Sequence, residues 1–258
     1  MLDKEALERY NRNILLDGIG QKGQEKLKAA KVLVVGAGGL GSPVLYYLAA
    51  AGIGSIGICD GDVVDLSNLQ RQILHRTQDI DINKAESAAQ KIRALNPSVN
   101  IEMFKEKLIP QNIFEIIKNY DLVIEAVDVL NAKFLINDAC VMAKIPLVRA
   151  SALAFSGQIM SVNPGVSACY SCLFDTPPKI AMPTSASVGI LGAAAGLFGT
   201  LEANEAIKII TGVGIPLFDC LLTCDIRSMD FRKITIRRNP NCRACGDEAV
   251  KKLDSSLY

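Results

Sequence analysis

Five short strand-like stretches, at positions 31–35, 55–59, 100–105, 122–126 and 146–149, most of them rich in apolar residues, predict strands. Between them, apolar side chains recur three and four residues apart and predict helices over 42–51, 84–95, 110–118 and 133–143. An amphipathic helix over 4–11 comes first, and a second leads from the glycine-rich segment 18–23 into the first strand. Strands that are apolar throughout belong in a parallel sheet covered on both faces. Beyond Ala150 the pattern changes to strand-like stretches at 158–162, 217–225 and 231–237 without a matching number of helices, which predicts an antiparallel extension of the same sheet. One helix interrupts them over 201–210, with Gly212 as its stop. The small residues before it allow close helix packing, at a dimer contact or within one subunit. The fold class expected is therefore α/β: a Rossmann-like, mainly parallel sheet continued by antiparallel strands.

The first strand runs into Gly36-Ala37-Gly38-Gly39-Leu40-Gly41, and a helix follows. Glycines let the chain turn tightly and let an anion approach backbone N–H groups, where the positive end of the helix dipole adds attraction. The second strand ends at Asp60, 24 residues after Gly36, and a carboxylate so placed can accept hydrogen bonds from ribose hydroxyls. Strand, turn, helix, strand and acid stand in the order a nucleotide site requires; a glycine-rich packing turn is the alternative. No G-x-x-x-x-G-K-[ST] string occurs, so any ATP would sit on a Rossmann-like turn.

The chain has 258 residues, 50% hydrophobic and 21% charged, which supplies one core or a core with an appendage. Its formal net charge of +1 favours neither nucleic acid nor a membrane surface as a partner. The start, Met1-Leu2-Asp3-Lys4-Glu5, lacks the apolar core of a secretory signal, and the run 188–201 is too short to span a bilayer, so a cytoplasmic location is expected. Eight cysteines in such a chain read as reduced thiols or metal ligands rather than disulfides. Cys169 and Cys172 form one C-x-x-C pair, and Cys242 and Cys245 a second. Four thiolates would close a tetrahedral structural Zn²⁺ site. The pairs stand 70 positions apart, a distance that loop-closure entropy tolerates because it grows only logarithmically; unrelated surface thiols are the alternative. Cys59 and Cys140 read as core, while Cys220 and Cys224 flank an expected strand.

A single histidine, His75, excludes histidine triads and multi-histidine metal sites, and it reads as a structural side chain. What remains is a set of separated charges: Arg12, Asp60, Arg71, Lys84 and Asp128. Phosphoryl and nucleotidyl transfer need electrostatic support more than covalent help, and Arg71 and Lys84 are suitable donors. Asp128 follows the 122–126 strand and should lie at a carboxyl edge of the sheet, where it could hold Mg²⁺. Each has a plainer reading, as a solvated helix face, a helix start or a helix cap.

Arg9-Tyr10-Asn11-Arg12-Asn13-Ile14-Leu15-Leu16, Gly36 to Gly41, Ser67 to Gln72 with His75, Lys84, Asn96-Pro97 and both cysteine pairs together resemble the ThiF/MoeB/HesA adenylyltransferases, bacterial relatives of ubiquitin-activating enzymes. The resemblance covers almost the whole chain. It implies one adenylation domain over 1–258, with a nucleotide-binding half to about 150 and an antiparallel, zinc-bearing, carrier-binding half beyond it. It further implies a homodimer that uses Mg-ATP to adenylate the C-terminal glycine of a small ubiquitin-like sulfur-carrier protein ending in Gly-Gly, with pyrophosphate released and a sulfur donor acting afterwards. By position, Gly36, Gly38, Gly39, Gly41, Asp60, Asp62, Ser67, Asn68, Leu69, Gln70, Arg71, Lys84, Asp128 and Val129 would contact ATP, and Asp128 its magnesium. Arg12 matches an arginine that reaches phosphate across the dimer, and Cys169, Cys172, Cys242 and Cys245 match the zinc ligands.

Two positions depart from the family pattern. Asp128-Val129 stands where Asp-Asn is common, which removes an amide near the nucleotide. Pro183-Thr184-Ser185 replaces Pro-Ser-Cys in the crossover loop, and a serine hydroxyl is a poor substitute for a thiol at physiological pH, so adenylation without covalent transfer through this loop is expected. Two other function classes stand beside this one: an NAD(P)-dependent oxidoreductase on the same turn, and a noncatalytic, zinc-stabilised partner-binding protein.

Overall fold

Val32 and Val34 of the first strand pack into one apolar core, while Leu33 and Val35 pack into a second on the opposite side of the sheet. That period of two is the pleat of a strand buried on both faces. The structure, a computed structural model, describes residues 2–177, 182–249 and 252–258. Its strands are β1 (Lys31–Val35), β2 (Ser55–Cys59), β3 (Asn100–Phe104), β4 (Leu122–Glu125), β5 (Leu147–Leu153), β6 (Ser156–Val162), β7 (Cys220–Asp225) and β8 (Asp230–Thr235). They form one sheet in the order β3-β2-β1-β4-β5-β6-β7-β8. Pairing is parallel from β3 across to β5 and antiparallel from β5 to β8.

The helices are α1 (Lys4–Arg9), α2 (Asn11–Ile14), α3 (Gly20–Ala29), α4 (Gly41–Ala51), α5 (Lys84–Leu95), α6 (Ile113–Ile117), α7 (Leu130–Ala143), α8 (Tyr170–Leu173), α9 (Ser185–Val188) and α10 (Gly192–Thr211). Leu27 of α3, Leu45 of α4, Ala88 of α5 and Phe198 of α10 build the core on one face. Ile113 of α6, Phe134 of α7 and Tyr170 of α8 build the other. None of the described helices is long and apolar enough to cross a membrane.

Several expected boundaries shift, each for a local reason. The helix expected over 4–11 divides at Tyr10, which is buried and whose hydroxyl accepts a 2.7 Å bond from Asn96 Nδ2. The helix expected over 110–118 starts only at Ile113, because Asn112 Oδ1 takes the Ile109 N–H at 2.8 Å and holds the preceding residues as a turn. Helix α7 starts at Leu130 with Val129 in the capping position, so Asp128 is not a helix cap. The small residues before position 201 are themselves helical. Gly192 and Gly199 let α10 press on other backbone: a Cβ at these sites would lie 2.5 Å from the Gln70 carbonyl oxygen and 2.2 Å from that of Leu40. Internal packing therefore accounts for this face of α10. Cys220 and Cys224 lie within β7 rather than beside it.

Strand β1 lies between β2 and β4. The chain winds outward from β1 to β3 and then returns to β4, so the connections diverge at the carboxyl end of β1 and open a crevice there. Gly36, Asp60 and the 126–128 segment follow the carboxyl ends of β1, β2 and β4 respectively.

Candidate active site

Gly36 has φ +99°, a conformation that side chains disfavour, and a Cβ there would lie 2.6 Å from the Ala126 carbonyl oxygen. The glycine turn can thus fold back against the segment that carries Asp128. Asp60 fastens the turn from the other side. Its Oδ2 accepts the Ala37 N–H at 2.8 Å and its Oδ1 accepts the Asp62 N–H at 2.9 Å. A carboxylate has lone pairs beyond these two, so Asp60 keeps acceptor capacity toward the crevice. Gly41 begins α4, and the helix N-terminus points at the turn.

The segment after β2 closes over this turn. Asp65 caps a short 3-10 turn, Leu66–Asn68, by accepting from the N–H and Oγ of Ser67. Arg71 Nη1 donates to the Ser67 carbonyl at 3.1 Å, and its stem passes over the turn: a Cβ on Gly39 would sit 3.5 Å from Arg71 Cγ. Leu69 and Gln70 carry the chain between them, and the Gln70 carbonyl oxygen meets Gly192 of α10. Asn83 Nδ2 bridges the carbonyls of Asp60 and Asp62 while its Oδ1 caps α5, which sets Lys84 at the first position of that helix. Lys84 is buried, and its Nζ lies 3.5 Å from Asp62 Oδ2.

Asp62 is held by a second cation as well, Lys107, at 2.9 Å. This bond, supported by the charges of Lys84 and Lys107, lowers the Asp62 carboxyl below its usual range. Lys107 is raised in turn, chiefly by Asp62, with Asp60 and Asp128 adding their fields. One lysine thereby senses all three carboxylates of the crevice. Asp128 itself is exposed, and no described residue bonds its carboxylate, which suits a hard oxygen ligand for Mg²⁺. Val129 next to it is also exposed, at 58%. Arg12 lies elsewhere: it is exposed on α2 and bonds only to Asn11 among the described residues, so one chain does not bring it to the turn.

The four cysteines converge. Their sulfurs lie within 4.8 Å of one another, with 3.7 Å between Cys169 and Cys242 and 3.4 Å between Cys172 and Cys245. Tetrahedral Zn–S bonds of about 2.3 Å put sulfurs about 3.8 Å apart, so the donor set and its spacing suit zinc. Asn239 N–H donates to Cys172 Sγ at 3.4 Å, the kind of contact that steadies a thiolate ligand. Asn137 accepts the Tyr170 N–H, and Arg243 pairs with Asp138 at 2.7 Å, which ties both cysteine pairs to α7.

A family model described as the ThiF family matches residues 10–244. The chain belongs to the ThiF family. Among its relatives is the sulfur carrier protein adenylyltransferase of Thermus thermophilus, 44% identical over 96% of this chain and 94% of that protein. Another, the maize adenylyltransferase and sulfurtransferase MOCS3-1, is 43% identical over 96% of this chain, which spans only 54% of that longer protein. Escherichia coli MccB, solved with MccA-N7isoASN, shares the fold with a TM-score of 0.84 at 24% identity, over 93% of this chain and 75% of MccB.

Within this ThiF chain, sequence reading missed two groups. Lys107 lies in a polar stretch with no motif, and only its approach to Asp62 marks it. The second group is buried at the end of β4. Glu125 accepts from Lys133 Nζ at 2.8 Å, from Arg149 Nε at 3.0 Å and from the Val127 N–H at 3.2 Å. Arg149 stacks on the Tyr170 ring at 3.6 Å, directly after Cys169. Glu202 of α10 completes the group, and burial, reinforced by Glu125, raises its carboxyl well above the usual range. Charged residues at the ends of the apolar runs 122–126 and 146–149 were the available signal. Ser185, the position of interest in the crossover loop, begins α9 behind the capping Thr184.

Proposed function

We propose that this chain uses Mg-ATP to adenylate the C-terminal glycine carboxylate of a small ubiquitin-like sulfur-carrier protein. The observation that carries the reading is the convergence of the glycine turn, Asp60, Arg71, Lys84, Lys107 and Asp128 at one edge of the sheet. Family membership and the relative in Thermus favour it over hydride transfer. ATP would lie with its ribose at Asp60 and its phosphates along the N–H groups after Gly36. The carrier's carboxylate attacks the α-phosphate and pyrophosphate leaves. Because both reactants are anionic, the step needs screening and alignment, which Arg71 and Lys84 supply. The attacking carboxylate is already ionised near neutral pH, so no strong base is required. Magnesium held by Asp128 would neutralise phosphate charge.

The remaining assignments extend this reading. Arg12 serves the partner's site in a homodimer, with the exposed Leu15 and Leu16 beside it available to be covered there. Zinc fills the four-cysteine cluster and steadies the antiparallel half, to which carrier binding is assigned. Ser185 leaves the sulfur step to a separate donor, and the work proceeds in the cytoplasm. The deciding experiment is mass spectrometry of candidate carriers incubated with the protein and Mg-ATP. An AMP adduct on a C-terminal glycine is the expected result, and its absence from every carrier ending in Gly-Gly would sink the proposal.

A further inference from the structure

The sole histidine is built into the phosphate turn. His75 is 5% exposed; its Nε2 lies 2.8 Å from the Ala37 carbonyl oxygen and its Nδ1 2.8 Å from Ser87 Oγ. A carbonyl only accepts, so Nε2 carries a proton and donates it. Burial lowers the ring's pKa, which favours the neutral form, and in that form Nδ1 accepts from the Ser87 hydroxyl. Lys91 Nζ donates to the same hydroxyl oxygen at 3.1 Å and is neutralised by Asp79 at 2.5 Å. Donation thus runs in one direction, from Lys91 through Ser87 and His75 to the turn. The groups whose charge reaches the ring are Lys84, Asp79 and Asp60.

Both backbone polar groups of Ala37 are therefore held by side chains, the N–H by Asp60 and the carbonyl by His75. The second bond has a directional consequence. In a trans peptide the C=O and the following N–H point opposite ways, so drawing the Ala37 carbonyl inward to His75 turns the Gly38 N–H outward. Among the described residues nothing accepts from that N–H. We propose that His75 is a positioning residue for the nucleotide phosphates: it orients the Ala37–Gly38 peptide so that the Gly38 N–H is preset toward a phosphate oxygen. The proposal rests on the reading of this turn as the ATP phosphate site.

Calorimetric titration of the full chain with Mg-ATP and, separately, with adenosine tests it. His75→Leu is expected to weaken Mg-ATP about tenfold, the worth of one misdirected hydrogen bond, with adenosine affinity unchanged. His75→Gln keeps an N–H that reaches Ala37 and should recover to within about threefold of the native chain, whereas His75→Asn is too short and should behave like the leucine variant. Native Mg-ATP affinity in His75→Asn or His75→Leu overturns the proposal, as does equal weakening of ATP and adenosine. The Asn and Gln pair serves as the test if His75→Leu does not fold. Gly38→Asp separates the parent reading, since a Cβ there meets only Gln72, at 3.5 Å or beyond, while the carboxylate would repel phosphate. Unchanged Mg-ATP binding in Gly38→Asp overturns both readings together; strong loss there with no effect of His75 overturns this one alone.

Discussion

Arg149 and Glu125 are joined by a 3.0 Å bond from Nε to Oε2, and neither side chain reaches solvent. Lys133 shares the same carboxylate at 2.8 Å, so removing the arginine leaves Glu125 with one cationic partner and the Val127 N–H. Arg149→Leu is expected to lower stability in urea unfolding by about 3 kcal/mol, the low end for breaking a buried pair. The double variant Glu125→Leu/Arg149→Leu should cost less than the sum of the two singles. Strict additivity would show that the pair does not act as a unit.

Arg71 and Lys84 supply the positive field proposed for the transition state. Arg71→Ala and Lys84→Ala should each slow carrier adenylation by about a hundredfold, the usual loss for one preorganised electrostatic donor. Lys107→Met should cost less, because Lys84 remains beside Asp62. Single-turnover formation of the AMP adduct measures all three, and a Lys107→Met loss as deep as that of Arg71→Ala would move Lys107 into direct phosphate contact.

Arg12 bonds only to Asn11 among the described residues of its own chain, so the role proposed for it in a homodimer is testable by mixing. Arg12→Ala and Asp128→Ala should each be inactive as homodimers. Co-refolded, they should regain roughly a quarter of native activity, because random pairing gives half heterodimers, each with one complete site. No recovery would place Arg12's contribution within one chain or outside catalysis.

The cysteine cluster should carry one zinc per chain by elemental analysis. Its removal by a chelator is expected to lower stability by about 3 kcal/mol or more, a fall in Tm of roughly 10 °C for a chain of this size. Cys242→Ser should reproduce the loss. A metal-free preparation with an unchanged Tm would rule out the structural role.

His75 makes stability depend on pH in a defined window. Its pKa lies below the ordinary 6.5, mainly because burial disfavours the charged ring. The unfolded chain takes up the proton near 6.5 and the folded chain only at lower pH, so acidification through that interval favours unfolding, and above it the effect vanishes. Stability should therefore fall as the pH drops through 6.5 in the native chain and stay flatter in His75→Gln. The lowered carboxyls Asp62 and Asp79 act separately, below their ordinary value of 3.8.

Strands β1, β2 and β4 were legible because burial on both faces requires apolar runs, whereas the edge strand β3 alternates polar and apolar residues; the glycine turn was legible because its geometry demands particular residues. Helix α10 was only half legible. Its glycines look like loop material until Leu40 and Gln70 are seen pressing against them. Lys107 and Arg149 were illegible for a different reason: their roles come from side chains far away in the chain, and no local periodicity encodes such a meeting. Arg12 was legible only by resemblance, because the proposed contact lies across subunits.

A lone imidazole pressed against the glycine turn also makes the protein its own spectroscopic reporter. In an untagged sample, the histidine side-chain resonances in an NMR spectrum belong to one residue without assignment. A slowly exchanging Nε2 proton would give a direct view of the turn as nucleotide enters and pyrophosphate leaves.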